Sequence, residues 1–175
     1  MITGEHIAET AVNSGLIGTP YAKLDCQALV EEVLKKAGLK IINYRGSNHM
    51  WRELVYDRQK VKGNTPPAGT LAFIVKNDGG EVKRGYHDDM GNATHVAIVL
   101  WDGKVFESTT GGVQYGNLSR FTDYGYIKDV DYMNEGSDSD AGARPTVYET
   151  IMAYLDVIKN NTIELGRFID EVFGS

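Results

Sequence analysis

The stretch that leaves this chain least freedom is 93–109, ATHVAIVLWDGKVFEST. Two runs of strand character flank Trp101-Asp102-Gly103, and an Asp-Gly step between such runs signals a β-hairpin. Side chains alternate across a strand, so His95, Ala97 and Val99 share one face and Val96, Ile98 and Leu100 the other. A histidine inside a strand this apolar must find polar partners, because an unpaired ring nitrogen is costly to bury.

The hairpin loop decides who the partner is. If Asp102-Gly103 is a two-residue turn, Trp101 pairs with Lys104 and Ile98 faces Glu107. Glu107 then lies on the sheet face away from His95, and Ser108 is offered instead. If the loop is Trp101-Asp102-Gly103, with Gly103 left-handed in a bulge, Leu100 pairs with Lys104 and Ala97 with Glu107. Glu107 then becomes the diagonal neighbour of His95 on the same face. Both loops are legitimate at this level.

The rest of the chain supplies helices for that sheet. Residues 3–14 read as a short helix with Ile7 and Ala11 on one face. Asp25 is a good N-cap, followed by Leu29, Val30, Val33, Leu34 and Ala37 at helical spacing, with Gly38 closing the helix. The polar middle, 41–65, reads as partly helical around Met50–Tyr56. "PPAG" launches the strand TLAFIV, a long Gly- and Asp-rich loop follows, and YGYIKDVDYM completes a small antiparallel sheet. Residues 134–146 read as a linker. In 147–175, Ile151, Leu155, Ile158, Thr162, Leu165, Ile169 and Val172 form a stripe of about three heptads. That helix either joins protomers into a homo-oligomer or folds back on the domain.

The only cysteine of the 175 residues, Cys26, stands directly after the capping aspartate, in the first turn of its helix. A thiol attacks as the thiolate, and helix N-termini favour that anion through unpaired N–H groups and the macrodipole. The same N–H groups can hold an oxyanion formed beside the sulfur. A small buried hydrophobe is the competing reading of Cys26. With Cys26 on a helix, His95 on a strand and Glu107 on the next, the residue types are those of a thiol hydrolase.

Composition closes off other classes. The net charge of −6 offers no basic surface for nucleic acid. A lone cysteine excludes an intramolecular disulfide, and four scattered histidines give no zinc spacing. No run of apolar residues is long enough to insert in a membrane. The opening residues do not read as a signal peptide.

The pieces GTPYAKLDCQALV, PPAGTLAF, HVAIVL and KVFESTTGGV, in this order over Gly18–Val113, resemble the NlpC-type cell-wall cysteine peptidases. These belong to the papain-like superfamily, which also holds the CHAP domains. The resemblance implies an α+β papain-like fold over 1–133, with the Cys26 helix packed on a small antiparallel sheet and a C-terminal helix beyond. It implies Cys26 as nucleophile, His95 as general base and Glu107 at the third polar position. Tyr21 matches a family tyrosine that helps bind substrate and stabilise the oxyanion, and Asp25 and Gln27 flank the nucleophile beside it. The chain departs from the family in having Asp25-Cys26-Gln27-Ala28 where Asp-Cys-Ser-Gly is usual. It also lacks the Gly-Gly segment between the tyrosine and the cysteine. Glutamate at the third position is more at home in CHAP domains.

The implied activity is hydrolysis of an amide bond in the peptidoglycan stem peptide, with no metal or organic cofactor. The absence of a signal sequence then points to a phage or prophage lysin, or a virion-associated enzyme, made in the cytoplasm and acting at the cell wall. The competing functions are an assembly protein retaining a papain-like domain, and an acyltransferase using the same triad. Two further features stay open. Asp78, Glu81, Asp88 and Asp89 form an acidic loop that reads as solvated rather than as a calcium site, since its spacing is not that of an EF-hand. Trp51 is either a cleft aromatic or a core tryptophan.

Overall fold

The computed structural model describes residues 1–132. The expected linker at 134–146 and the heptad helix at 147–175 lie outside the described residues. Six strands form one antiparallel sheet: β1 (Val55–Lys60), β2 (Leu71–Lys76), β3 (Asn92–Val99), β4 (Lys104–Thr109), β5 (Gly112–Asn117) and β6 (Asp123–Ile127). Their order is β1-β6-β2-β3-β4-β5. Among the described residues three α-helices accompany them, α1 (Gly4–Val12), α2 (Cys26–Lys36) and α3 (Ser47–Glu53), so the fold is α+β as the sequence implied.

Helix α2 begins and ends where its residues dictate. The Asp25 carboxylate accepts from the Ala28 N–H at 2.8 Å, taking up one of the donors a helix start leaves open. At the other end Gly38 adopts φ 90°, and the Leu39 N–H returns to the Leu34 carbonyl, a Schellman closure. Leu29, Val30, Val33 and Leu34 are fully buried. They press α2 against β3 and β4.

The hairpin takes the three-residue loop. Ile98 pairs with Phe106 and Val99 with Val105, the Leu100 N–H donates to the Lys104 carbonyl, and Gly103 has φ 67°. Asp102 is left-handed too, at φ 55°, so the tip twists in the sense hairpins favour while Trp101 is the extra residue. Register then sorts the side chains, because paired residues share a face. Ala72, Ala97, Val99 and Val105 form one core cluster under Leu118 and Phe121. Phe73, one residue out of phase, packs on Trp51 of α3 at 4.9 Å between ring centroids. Ser108, out of phase with Glu107, is buried and donates to the Leu24 carbonyl just before α2.

Three elements differ from the sequence reading. The middle helix lies at Ser47–Glu53, earlier than expected, because Val55 and Tyr56 pair with Ile127 and Tyr126 as an edge strand. Strand β5 was not anticipated; its Gly112 and Gly116 weaken any intrinsic strand preference, and pairing with β4 overrides that. Strand β6 stops at Ile127 rather than running on, and Asp129 turns the chain at φ 64°. The chain then returns to its start. Thr3 bridges Asp131, with Gly4 N–H on the Asp131 carbonyl and Asp131 N–H on the Ile2 carbonyl.

Candidate active site

The β3–β4 ladder ends at Ile98–Phe106, short of His95 and Glu107. Beyond it the imidazole Nε2 of His95 meets Oε2 of Glu107 at 2.8 Å. This is the diagonal neighbour relation that the three-residue loop requires. Glu107 is fully buried, and its other oxygen, Oε1, accepts from Nη1 of Arg120 at 2.8 Å. The Phe121 ring stacks on His95, with centroids 5.7 Å apart and planes 29° apart. The ring is thus held at its edge by a carboxylate and on one face by an aromatic.

Cys26 completes the group from α2. It is buried, and its thiol acts on His95 through a hydrogen-bonding and a charge interaction. Burial works against a proton on the ring, but the Cys26 and Glu107 partners more than offset it, and His95 is raised to about 9. Glu107 moves the other way. Burial pushes it up, yet the hydrogen bond to His95 and the Arg120 charge hold it below its ordinary value. Carboxylate and imidazolium are therefore the favoured pair across neutral pH.

Tyr21 also reaches the thiol. Its hydroxyl interacts with the Cys26 side chain and with the Cys26 backbone N–H, while its ring stays part-exposed at 38%. Burial first, and then the neighbouring Cys26, push the phenol above its usual range. The segment that carries Tyr21 is tied down on either side. Gly18 N–H donates to the Val113 carbonyl, Val113 N–H returns to the Thr19 carbonyl, and Ser108 holds Leu24. Strand β5 therefore serves as the rail along which the segment before the cysteine is laid.

Two expected site residues turn elsewhere. Gln27 spends both its amide hydrogens on Glu31 and the Tyr44 carbonyl and its oxygen on the Gly46 N–H, so it braces the segment 44–46 instead of facing the thiol. Trp51 is 4% exposed, donates to the Met90 carbonyl and packs on Phe73; it is a core tryptophan, not a cleft aromatic. Asp25 stays at the mouth of the site, exposed, with one oxygen capping α2.

Two carboxylates of the acidic loop have protein partners. Asp78 accepts from Gly80 N–H and Asn92 Nδ2, and Asp88 is gripped by Arg52. Among the described residues no three histidine, cysteine or acidic side chains gather as a metal site. Likewise, among the described residues no helix is long and apolar enough to cross a membrane. Arg120, Phe121 and Gly116 were missed in the sequence. Gly116 stands where an added Cβ would lie 2.0 Å from Glu107 Oε1, so it leaves room for the buried carboxylate. No local pattern marks these three, because each matters only through the fold.

The fold has counterparts among solved structures. The NlpC/P60 domain of the peptidoglycan hydrolase SagA is similar in structure, with a TM-score of 0.50 at 21% identity, covering 72% of this chain and 100% of that one. The P60 domain of an M. avium subspecies paratuberculosis antigen gives a TM-score of 0.47 at 16% identity over 74% and 98% of the two chains. RipD of Mycobacterium tuberculosis, described as a non-catalytic NlpC/p60 domain protein adapted to peptidoglycan binding, gives 0.45 at 20% identity over 69% and 93%. No curated protein matches the sequence. The sequence pattern of the NlpC/P60 family matches residues 15–130, which take in the helix of Cys26, the hairpin of His95 and Glu107, and strand β5. The chain belongs to the NlpC/P60 family.

Proposed function

We propose that this domain hydrolyses an amide bond of the peptidoglycan stem peptide, with Cys26 as nucleophile, His95 as proton carrier and Glu107 as the orienting third member. The observation that carries the reading is the buried His95–Glu107 contact at 2.8 Å beside a thiol at the start of α2. His95 holds the proton taken from the thiol, and the sulfur attacks the scissile carbonyl carbon as the thiolate. The oxyanion that forms is met by the Cys26 N–H and the Tyr21 hydroxyl, two donors that lie together beside the thiol. Collapse expels the amine, which leaves with the proton from His95. Water, deprotonated by the same ring, then releases the acyl group from sulfur. Glu107 stabilises the imidazolium in both halves of the cycle. Side chains and water suffice for every step.

The experiment is hydrolysis of purified peptidoglycan, followed by turbidity and by the masses of soluble products, for the wild type beside Cys26→Ala. Release of peptide fragments that disappears in the variant is the expected result, and the masses identify the bond. Fragments in which an added amine is joined through a new amide, where hydrolysis would leave a free carboxyl group, would reassign the reaction to acyl transfer. No release from any wall type would overturn the hydrolase reading.

A further inference from the structure

Glu107 is the only fully buried carboxylate of the described residues that touches a histidine, and both its oxygens are spoken for. His95 occupies Oε2 and Arg120 occupies Oε1, each at 2.8 Å. Among the described residues these are the charged groups facing Glu107; those facing His95 are Cys26 and Glu107, with the Phe121 ring alongside. Because Nε2 of His95 is engaged by Glu107, Nδ1 is the ring nitrogen left for the thiol.

This arrangement works with only one placement of protons. An ionised carboxylate can only accept, so it forces Nε2 to carry a hydrogen and leaves Nδ1 free to receive the thiol proton. A protonated Glu107 would instead donate to Nε2, move the ring hydrogen to Nδ1, and leave the thiol without a base. Burial alone favours the second arrangement, since it penalises the charged carboxylate. A cation on the far oxygen favours the first.

We propose that Arg120 is a positioning residue of this site: by holding Oε1 of Glu107 it keeps that carboxylate an acceptor and so keeps Nδ1 of His95 open to Cys26. Arg120 comes from the 3-10 turn Leu118–Arg120 after β5, which also leads into Phe121 on the His95 ring. One short turn therefore sets both the ring's stacking partner and its proton placement. The inference rests on the hydrolase reading for its catalytic meaning, but not for its measurement.

The test compares wild type, Arg120→Met, Arg120→Gln and Arg120→Lys. Nitrogen NMR of the His95 ring at neutral pH reads which nitrogens carry hydrogen. Iodoacetamide alkylation of Cys26, the only thiol in the chain, reads whether the base is available. In the wild type both ring nitrogens are expected to be protonated, Nε2 toward Glu107 and Nδ1 with the proton received from the Cys26 thiol. In Arg120→Met, Nε2 should lose its hydrogen in a measurable fraction of molecules, with alkylation at neutral pH and kcat each falling about tenfold and KM little changed. Arg120→Lys should restore both readings, and Arg120→Gln, which keeps a donor without the charge, should not. If Arg120→Met fails to fold, the Gln and Lys pair carries the same contrast. An unchanged ring pattern and alkylation profile in the uncharged variants would overturn the proposal. Should the wild type release nothing from peptidoglycan while the ring pattern still shifts, the hydrolase reading fails and the positioning role stands.

Discussion

Two arginine–carboxylate pairs in this domain have opposite burial, and the contrast explains what each does. In Arg52–Asp88 the guanidinium is 5% exposed and the carboxylate 35%. In Arg120–Glu107 the carboxylate is fully buried and the guanidinium 50% exposed. Arg52 spends its fork on two oxygens of Asp88, the Gly91 carbonyl and both oxygens of Asn48, and lies 4.2 Å from the Tyr86 ring centroid. It is a clamp that ties the 78–91 loop to α3, and the acid is its outermost grip. Arg120 makes one contact to the acid and leaves the rest of its charge in water. A buried cation organises backbone; a solvated cation beside a buried acid sets that acid's charge state.

Removing the clamp should cost most. Arg52→Met leaves the Gly91 carbonyl and the Asn48 oxygens short of a partner, and we expect a loss of about 3 kcal/mol in urea unfolding. Proteolysis within 85–91 should also quicken, while the His95 titration stays where it is. A shift of His95 in that variant would break the division of labour between the two pairs.

Next in size is Gly116→Ala, which drives a methyl group into Oε1 of Glu107. Overpacking of this kind costs about 2 kcal/mol. It should also displace the carboxylate, so peptidoglycan hydrolysis falls further than stability does. Retained activity with an unmoved His95 ring would show that the carboxylate position is not critical.

The smallest effect is the pH response of stability, compared between wild type and Glu107→Gln. The folded protein holds the His95 proton more tightly than the unfolded chain does. That contribution is complete below 6.5 and is lost as pH rises through about 9. Glu107, held below its ordinary 4.5, contributes above that value, and its share is lost as pH falls through the lower folded value. The wild-type thermal midpoint should therefore drop between pH 7 and 10, and the variant should respond less. Equal slopes in the two proteins would separate the ring's titration from the carboxylate.

Much of the site was legible in the chain because its geometry is local. Asp25 before Cys26 announces a helix start, and parity along one hairpin leaves only two choices for the partner of His95. The choice between Glu107 and Ser108 was not legible, since Asp102-Gly103 suits either loop and the pairing of Leu100 with Lys104 decides it. Ser108 instead fastens the cysteine segment from the other face. Arg120 reaches Glu107 only after another strand and a turn, and Gly116 is needed for its emptiness, so no spacing rule points to either. For the same reason the place of Gln27 was missed and the choice for Trp51, cleft or core, stayed open. Each has a residue type suited to a cleft, and each is claimed by a tertiary partner, Met90 for the indole and Tyr44 for the amide.

The pairing of Thr3 with Asp131 has an engineering consequence. Ile2–Gly4 and Asp131 exchange two backbone hydrogen bonds, so the ends of the described fold meet like the two sides of a clasp. A fold closed in this way behaves as a cassette. It can be spliced into a surface loop of a host protein through two short joints. It can also be circularly permuted, with the ends fused and new ones opened at the exposed Gly63-Asn64 turn between β1 and β2. In either rearrangement the α2 start, the hairpin and β5 remain one uninterrupted block in space.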